Sequence, residues 1–174
     1  MLRDGIAPNK VKEICDVEIK EINRFLEGSE ETKAKKTLTY IVLNKRSNLK
    51  IFVDRENSNY DGCQPGTIVD NVIVNENEFK EFFMVSALVR KGCAAATHYH
   101  VMFDSYGSQK RDIYLMMYKL CYLYYNWTGA IKVPAPCQYS RRLALMVGEK
   151  LTEKDKVYLP GKTLWTQFSS MYFL

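Results

Sequence analysis

The stretch from residue 118 to residue 142, YKLCYLYYNWTGAIKVPAPCQYSRR, constrains the fold more than any other part of the chain. From Ile113 the apolar residues fall at Met116, Met117, Leu120, Cys121 and Tyr124, the spacing of a helix that buries one face. The predicted helix runs over about residues 108–125. Asn126, Thr128 and Gly129 break the period, residues 130–133 are short and β-compatible, and Pro134 and Pro136 stop a sheet ladder because proline has no N–H to donate. A second helix is predicted from near Pro136, where a missing N–H costs nothing, with Tyr139, Leu143, Met146 and Val147 as its apolar stripe.

Upstream, Pro8 opens a further predicted helix whose buried stripe is Val11, Ile14, Cys15, Ile22, Phe25 and Leu26, interrupted by Glu18 and closed at Gly28. The polar run GSEETKAKKT that follows has the composition of a solvated connection. Residues 38–43 and 49–53 are rich in β-branched and aromatic side chains and predict strands, with 44–48 as the link that carries Lys45 and Arg46. A polar loop over 54–64, a strand over 66–74, a turn at 76–79 and strands over 81–88 and 97–103 complete the middle. Residues 164–174 return to an apolar, aromatic composition and predict a short helix or strand docked on the core. Strands mixed with helices at both ends give an α/β layered architecture in one domain.

Composition bears on compartment and partners. With 174 residues and 47% hydrophobic content the chain can bury a full core. Its net charge of +5 permits contact with a polyanion without requiring one. Five cysteines without a CxxC pair predict buried free thiols in a reducing compartment. No signal peptide and no run of about eighteen apolar residues is visible, so neither secretion nor a membrane span is expected.

YNWTG, VPAPCQY and the basic pair after it, together with RDG at 3–5, TYIVLNKR at 39–46, PGTIVD at 65–70, THYHVMFD at 97–104 and the terminal MYFL, resemble the last part of the Piwi domain of Argonaute-family proteins, in its Piwi clade. The resemblance covers nearly the whole chain, in order. It implies a partial ribonuclease H-like α/β fold, a mixed sheet with flanking helices. It also implies that residues 1–174 are the C-terminal portion of the domain, truncated at the start of a central strand, with the N-terminal strands and the MID, PAZ and N domains outside this chain.

Slicing members of that family are similar in holding two divalent metals with three acidic residues and a histidine, because hard cations need clustered carboxylates. Asp4 matches the third acidic position, while the first and the glutamate finger would lie upstream of Met1. Arg141 stands where the histidine is expected, and a guanidinium has no lone pair for a metal. Metal-dependent cleavage by this chain alone is therefore not expected, and Asp4 before Gly5 also suits a simple strand-end turn.

The resemblance implies instead that the chain helps to cradle a small, piRNA-type guide RNA and its target during RNA silencing. Lys45 and Arg46 match a basic pair in the family, Tyr124 and Asn126 match positions beside the guide, and Lys132 and Gln138 lie close in the motif. The carboxylate of Leu174 matches the group that reaches the guide's 5′ phosphate, where Mg2+ would bridge two anions. Lys45 and Arg46 as a solvated turn, and the tyrosine stripe as plain packing with Tyr124 inside and Tyr122 partly exposed, remain alternatives. Tryptophan-containing or Tudor-type silencing partners are also implied, with a cytoplasmic, perinuclear-granule or nuclear location. His98 and His100 share one face of a strand with Cys93 nearby, an incomplete metal set for which structural hydrogen bonding or RNA contact is the favoured reading.

Overall fold

Side chains that alternate between two faces, together with three amphipathic helices, build a sheet with helices packed on both sides. The computed structural model describes residues 1–28, 36–55, 59–74, 80–89 and 92–150. In chain order the elements are β1 (Leu2–Asp4), a single 3-10 turn at Pro8–Lys10, α1 (Val11–Gly28), β2 (Thr39–Asn44), β3 (Phe52–Arg55), β4 (Asn59–Gly62), β5 (Thr67–Val69), β6 (Lys80–Val85), β7 (Thr97–Asp104), α2 (Lys110–Leu120) and α3 (Ala135–Lys150). Five strands form one mixed sheet in the order β1-β2-β7-β6-β5, and β3 pairs with β4 as a separate ribbon. Among the described residues only β1 and β2 run parallel, with Leu2 beside Ile41 and Asp4 beside Leu43.

The period of two in the strands sorts the core. Ile41, Leu43, Phe82, Met84, Tyr99 and Val101 point to one face and pack on Ile113, Met117 and Cys121 of the α2 segment and Cys137 of α3. On the opposite face Tyr40 and Val42 pack on Cys15 of α1. Glu18, which interrupts the α1 stripe, has a reason to do so: its carboxylate accepts the Tyr40 hydroxyl and lies 3.1 Å from the Arg3 guanidinium. Burial first, then the hydrogen bond to Glu18, pushes the Tyr40 phenol well above its usual range.

Several expectations are corrected. The α2 helix ends at Leu120 rather than 125, because the Cys121 N–H tightens onto the Tyr118 carbonyl and the Tyr122 N–H onto that of Lys119, and the Cys121 carbonyl then receives the Ile131 N–H at 2.9 Å. Tyr139 fixes the turn that follows, its hydroxyl accepting the Tyr125 N–H at 2.8 Å and donating to the Leu123 carbonyl at 3.0 Å. Residues 130–133 form no strand. Their carbonyls are instead tied to the sheet by hydroxyls, Ser86 to Ile131 at 2.8 Å and Thr97 to Lys132 at 3.0 Å.

Phe25 is 75% exposed rather than part of the α1 stripe. The polar stretch expected as a loop contains β4, and the ribbon stayed hidden in the sequence because Phe52, Val53 and Tyr60 are exposed and leave no one-sided pattern. The strand expected over 66–74 shortens to β5 as the Asp70 carboxylate leaves the ladder to accept the Tyr114 hydroxyl at 2.8 Å. The turn expected at 76–79, most of the polar connection after α1 and the docked segment at 164–174 lie outside the described residues. All five cysteines are free, four of them buried.

Candidate nucleic-acid interface

Gly5 takes φ +56°, a conformation that glycine adopts without a side-chain clash, and its N–H donates to the Leu43 carbonyl at 2.9 Å. That turn sets the end of β1 against the start of the loop after β2. Asp4 Oδ2 consequently sits 2.6 Å from the Lys45 ammonium. The loop itself is held by an Asx-type bond from the Arg46 N–H to Asn44 Oδ1 at 3.0 Å. The Lys132 ammonium reaches into the same place and donates to the Lys45 carbonyl at 2.7 Å. Burial, then the charge of Lys45, lowers the Lys132 ammonium from its ordinary value. Two lysines thus converge at a point where the Asp4 carboxylate pairs with one of them and the Lys45 carbonyl holds the other.

Asp4 and Arg141, distant in sequence, line one open groove of about 810 Å³ with Arg3, Pro136, Cys137 and Ser140 among its walls. Burial, with the Asp4 carboxylate as the next cause, pushes the Cys137 thiol up to about 12, so it stays a neutral wall. The groove does not suit a divalent metal: its carboxylate is engaged by Lys45, and Arg141 adds positive charge to the wall that lines it.

The other predicted residues separate. Arg46 and Asn126 are exposed, and Gln138 is half-buried near the start of α3. Tyr124 is buried, as expected, with its ring 5.4 Å from Tyr139 and the Arg142 guanidinium 5.6 Å above it, so it packs rather than presenting a face. Tyr122 is half exposed and its hydroxyl meets that of Tyr118 at 2.7 Å. Leu174 lies outside the described residues. Cys93 turns away from the histidines, its thiol donating to the Ile51 carbonyl at 3.1 Å. Sequence reasoning missed Glu81, which stands directly opposite His100 across β6 and β7; only the strand register reveals that neighbour. Among the described residues no helix is long and apolar enough to cross a membrane.

Residues 1–152 match the family model described as the Piwi domain. The chain is 35% identical over 157 residues to Piwi-like protein 1 of Danio rerio, covering 90% of this chain and 18% of that protein. It is 36% identical over 151 residues to Protein piwi of Drosophila melanogaster, covering 86% of this chain and 17% of that protein. It thus spans less than a fifth of the length of these curated relatives. The crystal structure of Drosophila Piwi superposes with a TM-score of 0.70 at 35% identity, over 84% of this chain and 20% of that one. Kluyveromyces polysporus Argonaute, solved with a guide RNA, shares the fold with a TM-score of 0.68 at 24% identity, over 83% of this chain and 19% of that one. The chain belongs to the Piwi domain family, in the Piwi clade of the Argonaute proteins, and its mixed sheet with flanking helices is the ribonuclease H-like fold of that domain.

Proposed function

We propose that this chain is the C-terminal portion of a Piwi domain that holds the sugar–phosphate backbone of a small, piRNA-type guide RNA for silencing in the cytoplasm or nucleus, and that its own residues do not cleave the target. The convergence of Lys45 and Lys132 on one place, with Asp4 as the carboxylate between β1 and the loop, supports the reading. Asp4 offsets one ammonium and leaves the other for an anion, and lysine binds phosphate as a compact point charge. The loop of Lys45 carries the exposed Arg46 alongside, which extends the cationic edge. Phosphate contacts of this kind fix a strand in place without reading its sequence.

Arg141 on the groove wall supports the non-cleaving part, since it supplies neither a metal ligand nor a general base. The test combines the intact protein with a short 5′-phosphorylated RNA and a labelled complementary target in magnesium. The expected outcome is a stable ternary complex with uncut target. Target cleavage that survives Arg141→Ala would overturn the non-cleaving assignment. Failure to retain RNA while a tryptophan-containing peptide binds would overturn the RNA assignment in favour of a protein-docking module.

A further inference from the structure

A second cluster of chemically capable groups lies away from the lysines. Glu81 on β6 pairs directly with His100 on β7, and His98 pairs with Phe83, so the two imidazoles and the carboxylate share one sheet face. His100 Nδ1 is 2.9 Å from Glu81 Oε1, His100 Nε2 is 3.0 Å from His98 Nδ1, and His98 Nε2 is 3.5 Å from Glu81 Oε2. The three side chains sit between the apolar cluster of Cys15, Tyr40 and Val42 on one side and that of Cys63, Val85 and Ala96 on the other. His98 is fixed there by stacking on Phe83, with ring centroids 4.0 Å apart and planes within 5°.

The hydrogen inventory of this triangle does not close. Two neutral imidazoles bring two N–H groups, and the three close contacts would need three. The shortfall falls on His98 Nε2, which is buried, makes no hydrogen bond and faces a carboxylate oxygen. A lone pair directed at a carboxylate is costly unless a proton or a metal cation lies between them.

One nitrogen of each imidazole and one carboxylate oxygen lie within 4.8 Å of one another. Ligands at about 2.0–2.1 Å around a tetrahedral ion are separated by about 3.3 Å, so these three donors would close onto one ion by small side-chain rotations that exchange one present contact of His100 for the metal bond. We propose that Glu81, His98 and His100 bind a divalent transition metal, with zinc the best-suited ion, and that the ion fastens β6 to β7 with its fourth position left to water. Nitrogen and carboxylate donors favour zinc over magnesium or calcium, which take oxygen ligands. The site is independent of the lysine pair and of RNA binding, so either assignment can fail without the other.

The test is a zinc titration of the intact, chelator-stripped protein against a chromophoric chelator. Wild type is expected to bind one equivalent more than His98→Asn/His100→Asn, and Glu81→Gln to bind that equivalent at least tenfold more weakly. X-ray absorption on the zinc-loaded wild type, which needs no variant to fold, is expected to show two imidazoles and oxygen ligands at about 2.0–2.2 Å. Equal stoichiometry in wild type and the double variant, a sulfur-dominated shell, or no zinc retained by the wild type would overturn the proposal.

Discussion

The two faces of the central sheet are built from the same strands and do different work. The face toward α2 and α3 is a continuous apolar layer in which Ile41, Leu43, Phe82, Met84, Tyr99 and Met117 are all essentially inaccessible to water. The face toward α1 is divided into two smaller apolar clusters that carry polar groups with them: Glu18 on the hydroxyl of Tyr40, and the Glu81, His98, His100 triangle between the two. A strand with period two makes this division possible, because each face receives its own half of the side chains. Stability concentrates on the first face. The second, less fully covered, has room for ionisable groups.

The sharpest way to break that contrast is to remove the ring of Phe82, which stacks on Tyr99 with planes within 2° and centroids 4.7 Å apart. Phe82→Ala is expected to cost about 3–5 kcal/mol in urea unfolding, the range for a buried aromatic replaced by alanine. A loss below about 1 kcal/mol would show that this face is not the main support. Next comes the buried hydroxyl that ties the 130–133 segment to β7. Thr97→Val removes one of the two hydroxyls on the Lys132 carbonyl, leaving Ser86 at 3.1 Å, and is expected to cost about 0.5–1.5 kcal/mol, read as a fall in the urea midpoint at constant slope.

The junction from β7 into α2 responds to pH. Burial tends to raise the Asp104 carboxyl, but hydrogen bonds from the Thr39 hydroxyl, the Ser108 N–H and hydroxyl and the Tyr106 N–H outweigh it and hold the group below its ordinary 3.8. A folded-state value below the unfolded one means that the unfolded chain binds more protons across that interval. Its contribution is therefore complete above about pH 5 and is lost as pH falls through 3.8 and below the folded value. Asp104→Asn is expected to flatten that part of the acid unfolding curve; an unchanged curve would remove Asp104 as its source. The smallest effect belongs to the outer side of α1, where Phe25→Ser is expected to change stability by no more than about 0.5 kcal/mol because the ring is 75% exposed.

How much of this was legible in the sequence followed the same division. Elements with one buried face announced themselves: α1, β2, β7 and α3 lie close to where the apolar period placed them. The motifs around RDG, NKR and VPAPCQY carried the family, the fold and the groove that joins Asp4 to Arg141. What stayed hidden had no one-sided pattern, as in the exposed β3–β4 ribbon, or depended on pairing between strands, as with Glu81 and His100. The end of α2 misled for a related reason. Tyr124 is buried at a helix-compatible spacing, but a turn pinned by Tyr139, not a helix, brings it inside.

The central claim, that the edge formed by Lys45 and Lys132 meets RNA phosphates, is tested most directly by the salt dependence of single-stranded RNA affinity in the intact protein, wild type against Lys45→Ala/Lys132→Ala. Each phosphate contact on a single strand contributes about −0.7 to the slope of log K against log salt, so losing the one that the uncompensated ammonium makes should make the slope shallower by about 0.7. Weaker binding with that change in slope is the predicted result. An unchanged slope and affinity would contradict the account and move the RNA, if it binds at all, to another surface.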